Sequence, residues 1–156
     1  MISLKSVVAG LALSVIAAMV HAQVVDKKAL TLAAAKKIAA AAEADAKAKG
    51  ARVVIAIVDD GGNLIVLERL DDTQVASVNV GIGKARTAAI FRRPSKVFED
   101  QIRDGRIAAL ALPGATPLQG GIPITYEGKV IGAIGVSGES PAQDEDIAKA
   151  GAAAFK

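Results

Sequence analysis

The sequence predicts an α+β domain in which an antiparallel sheet is flanked by helices. Two observations point there. Apolar residues recur at helical spacing in well-separated stretches, and between those stretches lie two pairs of short apolar runs, each pair joined by a turn. The resulting order is helix, hairpin, helices, hairpin, helix. Hairpins join antiparallel strands, and helices between them place themselves on the faces of the sheet.

Thr31 is set to cap a first helix over residues 32–49, a stretch dense in Ala with Lys and Glu interspersed, and Gly50 stands where a glycine stops a helix. Residues 53–58 form a β-branched run, Asp60-Gly61-Gly62-Asn63 supplies turn residues, and 64–67 is a second apolar run, so a hairpin is expected. Asp71-Asp72-Thr73 offers caps for a helix over about 74–91, with Val75, Val78, Ile82, Ala85 and Ala89 as its apolar stripe. Pro94-Ser95 breaks it, and residues 96–103 continue as a short helix with Val97, Phe98 and Ile102 turned inward. Residues 108–121 read as a loop. A second hairpin is expected over 122–126 and 129–136 around Glu127-Gly128, then a last helix with Ser140 as cap, Pro141 at its first position and an end near Phe155.

The chain begins with a targeting pattern. Residues 1–22 hold Lys5, an apolar run over 7–20 and Val20-His21-Ala22, which reads as a secretory signal peptide cut before Gln23. The run of about 14 residues is shorter than the roughly 20 needed to span a bilayer. Residues 23–156 would then form one domain, periplasmic or secreted and free of the membrane after cleavage.

Composition narrows the chemistry. Loss of Lys5 leaves 18 Lys+Arg against 16 Asp+Glu, with no basic run longer than two residues and few aromatic side chains, which argues against nucleic acid as a partner. The chain has no cysteine, and its single histidine, His21, lies in the leader. Disulfides, thiolate metal sites, covalent c-type haem, zinc–histidine clusters and Ser-His-Asp catalysis are absent from the expected mature chain.

Three segments in fixed order carry a family resemblance: Lys84-Ala85-Arg86-Thr87-Ala88-Ala89, Gly120-Gly121-Ile122-Pro123-Ile124, and Ile131-Gly132-Ala133-Ile134-Gly135-Val136-Ser137-Gly138. Together with Val58-Asp59-Asp60-Gly61-Gly62-Asn63, Asp144-Glu145-Asp146 and Ala150-Gly151, they resemble the GlcG/HbpS-like haem-binding and haem-degrading family, from about Leu30 to the C-terminus. The resemblance implies a profilin-like α/β/α sandwich around about five strands, haem as cofactor, and a homo-oligomer. The Ala-rich first helix is compatible with subunit packing, as it is with plain helix propensity.

Six residues stand out as candidates for cofactor binding. Lys84 and Arg86 lie two apart on one helix, about 200° around its axis, so they cannot grip one ligand together. A cation at a buried rim suits haem propionates or a small carboxylate, and an ion pair with a neighbouring acid is the structural alternative for each. Arg69 is either a carboxylate clamp or a partner for Asp71 and Asp72. Gly120 and Gly121 permit close backbone approach, with amides that could receive an anion, or simply a turn entering an edge strand. Tyr126, the only tyrosine, is the best oxygen for ferric iron, the others being Thr87, Thr116 and Thr125, with Lys amines as a further source. Packing is its alternative role. Asp59, Asp60, Asp144, Glu145 and Asp146 are candidates for a cation, although acids in the first turn of a helix also serve its dipole. Arg92 and Arg93 suit a helix C-terminus.

Three functions fit these residues. The first is an exported binder of haem or a small ligand. The second is an enzyme, degrading haem or turning over a small hydroxy- or oxo-acid with Lys84, Asp59 or Tyr126 as acid or base. The third is a non-catalytic oligomeric accessory protein.

Overall fold

Thr31 Oγ1 accepts the Ala34 amide at 3.2 Å and starts helix α1, Leu32–Ala48, which ends where Gly50 takes a φ of 63°. The computed structural model describes residues 25–155; the expected signal peptide, its cleavage site and His21 lie outside the described residues. Strands β1, Val54–Asp59, and β2, Leu64–Arg69, form the first hairpin. Helix α2, Ser77–Ile90, and the short α3, Lys96–Arg103, follow, then a 3-10 turn at Ile107–Ala111 that overlaps the start of the expected loop. Strands β3, Gly121–Tyr126, and β4, Lys129–Ser137, make the second hairpin, and α4, Pro141–Ala153, closes the domain with Ser140 Oγ accepting the Gln143 amide.

The sheet is antiparallel in the order β2-β1-β4-β3, four strands among the described residues rather than about five. Both hairpin turns fall at one end of it, because Asp59 pairs with Gly132 while Val54 pairs with Ser137 at the other. Helix α2 starts later than its sequence suggests. Thr73 turns its hydroxyl to the Val53 carbonyl at 3.2 Å, and Asp72 adopts a φ of 60°, so neither caps the helix. Val75, expected on the apolar stripe, is 74% exposed, and the buried face runs through Gly81, Lys84, Ala85 and Ala88.

The two faces of the sheet are unlike. On one, Ile55, Ile57, Ile134 and Val136 meet α1 and α4 in the main core, where each fully buried aliphatic side chain stabilises by about 1.5–3 kcal/mol. The Ala stripe of α1 belongs to this layer: Ala35, Ala39, Ala42 and Ala46 are fully buried, and a Cβ on Gly151 of α4 would lie 3.0 Å from Ala42. On the other face Ala56, Val58 and Ala133 meet Ala85, Ala88 and Ala89 of α2. Small residues bring this helix nearly onto the strands, and a Cβ on Gly135 would collide with the Gly81 carbonyl and the Ala85 amide.

The β1–β2 turn is built on one carboxylate. Asp59 Oδ1 accepts the Gly61 amide at 2.9 Å and the Asn63 amide at 2.8 Å, and Oδ2 accepts Asn63 Nδ2 at 3.0 Å. Burial disfavours its charge, but the Asn63 and Gly61 donors and the Lys27 ammonium together outweigh that and hold the carboxyl below its ordinary value. A depressed carboxyl contributes stability above its unfolded value of about 3.9 and loses it as pH falls through the lower folded value. At pH 7 Asp59→Ala is expected to cost about 1.5–3 kcal/mol, the range for bonds to a charged group. In thermal melts across a pH series the gap from wild type should close below about pH 4.

Candidate functional site

At the hairpin end of the sheet, the segment before α1, the end of α2 and the β3–β4 hairpin enclose a cavity of about 400 Å³. Its apolar wall is Val25, Val130 and Ile131, with the ring of Tyr126. Four cations, Lys27, Lys28, Arg92 and Lys129, stand around it with three acids, Asp26, Asp60 and Glu127. Lys27 pairs with Asp60 at 2.7 Å, whereas Lys28, Arg92 and Lys129 have no ion-pair partner among the described residues.

Two of the lining residues sit on strained backbone. After Ile90 the chain closes α2 with a Schellman arrangement: the Arg93 amide donates to the Ala88 carbonyl and the Arg92 amide to the Ala89 carbonyl. Arg92 therefore occupies the left-handed position that glycine usually fills, with a φ of 55°. A non-glycine residue there costs about 1–2 kcal/mol. Glu127 and Gly128 both have positive φ, 49° and 75°, which makes the β3–β4 connection a type I′ turn and sets Tyr126 opposite Lys129. Tyr126 packs edge-on to Phe155, with ring centroids 6.4 Å apart at 74°, and is 42% exposed.

The six residues singled out in the sequence do not share one site. Lys84, Gly120 and Gly121 come together at a buried joint. Lys84 is 3% exposed, and its ammonium donates to the Val136 carbonyl at 2.9 Å and to Asp144 Oδ2 at 2.7 Å. Gly120, at a φ of 125°, leaves room for that ammonium, which would lie 3.0 Å from a Cβ there. The Gly121 amide donates to Ser95 Oγ, so it is not open to an anion. Burial pushes the Asp144 carboxyl up, against the Lys84 ammonium and the Glu139 and Gly138 amides. The ion pair weighed as the structural alternative is the one Lys84 makes.

Arg86 points the other way on α2, as the 200° separation requires, and its Nε donates to the Gly62 carbonyl at 3.2 Å in the β1–β2 turn. Arg69 ends β2 at the far edge of the sheet and lines a separate hollow of about 420 Å³ with Glu43, Lys47 and Asp71. Thr87 is fully buried against the Gly83 carbonyl and the Thr116 backbone. Among the described residues no three His, Cys, Asp or Glu side chains gather to hold a metal ion. Of the six, Tyr126 alone faces the cavity at the hairpin end. Lys27, Lys28 and Lys129 were not singled out in the sequence, because they come from segments a hundred residues apart with no motif between them. Arg92 carried a signal, a helix stop at Pro94 with no glycine before it.

The chain matches the family described as haem degrading protein HbpS-like over residues 30–153. Protein GlcG of Escherichia coli K12 is 42% identical over 103 residues, 66% of this chain and 77% of that protein. A double mutant of Streptomyces reticuli HbpS superposes with a TM-score of 0.79 at 34% identity, covering 86% of this chain and 92% of that one. A PduOC–haem complex superposes with a TM-score of 0.75 at 28% identity, covering 83% and 96%.

Removing one partner of a buried pair strands the other charge, which costs about 3–5 kcal/mol. Lys84→Met is expected to lose that much in denaturant unfolding. Adding Asp144→Leu to it should recover most of the loss, whereas a second loss of equal size would show that the two side chains act independently.

Proposed function

The chain belongs to the HbpS-like family of haem-degrading proteins, and on that premise we propose that it is an exported haem-binding protein whose site is the cavity at the hairpin end. The observation that carries the site is Arg92. A chain that forgoes glycine at a left-handed helix stop, and turns the resulting cation into a cavity, retains strain of the kind found where a ligand is held.

The donor set fits haem. Val25, Val130, Ile131 and the Tyr126 ring offer apolar surface to a porphyrin edge, while Lys28, Arg92 and Lys129 offer charge to two propionates. A small carboxylate would use the same cations with less of the apolar wall. Bound haem supplies iron redox chemistry, so the residues around it need only bind, orient and shelter it. Degradation is the second reading, favoured by the family's own description. Export rests on the leader pattern of residues 1–22. Assembly of several copies is supported by Ile107 and Leu110, 70% and 65% exposed on the 3-10 turn.

Titration with ferric haem, followed in the Soret region, tests the reading. Wild type is expected to saturate, and Arg92→Gly to bind several-fold more weakly while gaining about 0.5–1 kcal/mol in unfolding as the strain is relieved. Equal affinity in the two proteins would remove Arg92 from the site, and no saturable shift would overturn haem binding. Added peroxide or reductant separates the two activities: a band lost faster than that of free haem indicates degradation, and a persistent one indicates binding.

A further inference from the structure

We propose that Tyr126 Oη is the protein oxygen that would hold the iron of ferric haem, an assignment that rests on the haem reading and goes beyond it to a named atom. The donor inventory leads there. The chain has no cysteine, its methionines are Met1 and Met19 and its histidine is His21, so residues 23–156 hold neither sulfur nor imidazole. Ligation by the domain itself therefore falls to oxygen or to a lysine amine.

Most of those oxygens are already committed. Thr87 is buried, with its hydroxyl bonded to the Gly83 carbonyl and the Thr116 backbone. Ser95 Oγ donates to the Leu118 carbonyl at 2.6 Å and accepts the Gly121 amide. Asp59 is consumed by its turn, Asp60 by Lys27, and Asp144 by Lys84. Thr116 and Thr125 do not line the cavity; Asp26 and Glu127 do, but as carboxylates they are not among the side chains by which proteins hold haem iron.

Tyr126 differs on each count. It lines the cavity, and its hydroxyl has no hydrogen-bond partner among the described residues. Its ring is set by Phe155 on one side and by the register with Lys129 across the I′ turn. Arg92 and Lys129 share the cavity, where they stand beside the ring as cations for the propionates. Ferric iron takes phenolate as an axial ligand, and a lysine amine here serves better as a cation for the propionates. In holding the iron, Tyr126 would give up its phenol proton to solvent and supply the oxygen as ligand, with the iron ferric throughout.

The test is absorption and electron paramagnetic resonance of the full-length chain with ferric haem, beside Tyr126→Phe and His21→Ala. Wild type and His21→Ala are expected to share a high-spin ferric spectrum with a phenolate-to-iron charge-transfer band. Tyr126→Phe, which keeps the ring on Phe155, should still bind but lose that band, with affinity lower by about tenfold or more, the scale on which even outer-sphere changes move metal binding. A Tyr126→Phe spectrum identical to wild type overturns the assignment while leaving haem binding intact, as does loss of the band in His21→Ala. Absence of saturable binding in all three proteins overturns the functional reading and the assignment with it.

Discussion

Lys84 gives its ammonium to the Val136 carbonyl and the Asp144 carboxylate where both side chains are almost wholly buried, and four elements meet at that point. The lysine comes from α2, the carbonyl from the end of β4 and the carboxylate from the first turn of α4, while Gly120 admits the chain entering β3. A buried charge is costly unless fully met, so each of these elements is held where the others need it. The thin side of the sandwich depends on the same contact. Gly81, Ala85 and Gly135 let α2 lie almost on the strands, and the long lysine side chain then reaches past the end of β4 to α4.

The two ends of the sheet consequently do different work. At one end Lys84 and Asp144 are buried and paired, which favours a single arrangement of the elements they join. At the hairpin end the charges are exposed or unpaired around a cavity, on backbone held in left-handed conformations at Arg92 and Glu127. The exposed Lys27–Asp60 pair across its mouth is worth at most about 1 kcal/mol. An end joined by a buried pair, supporting a strained and charged end, is an arrangement suited to holding a ligand.

Much of the fold was legible because its signals are local. Thr31 and Gly50 bracket α1, Glu127-Gly128 makes the I′ turn, and Ser140-Pro141 starts α4, each through chemistry complete within a few residues. The start of α2 was not, since Thr73 is drawn away by the Val53 carbonyl twenty residues earlier. The candidate site was legible only in part. Tyr126 stood out as the one tyrosine, but helical spacing shows that Lys84 and Arg86 diverge without showing which is buried. That is decided by small residues at Gly120 and Gly135, which bring distant backbone to Lys84. Lys28 and Lys129 meet only when the segment before α1 is laid beside the second hairpin.

The central claim is that haem sits at the hairpin end. Hydrogen–deuterium exchange of the protein with and without ferric haem tests it most directly. Protection is expected in residues 25–31, around Arg92 and in residues 124–131, with residues 69–73 and 104–121 unchanged. Protection centred on Arg69 or on residues 104–121, with the hairpin end exchanging as before, would contradict it.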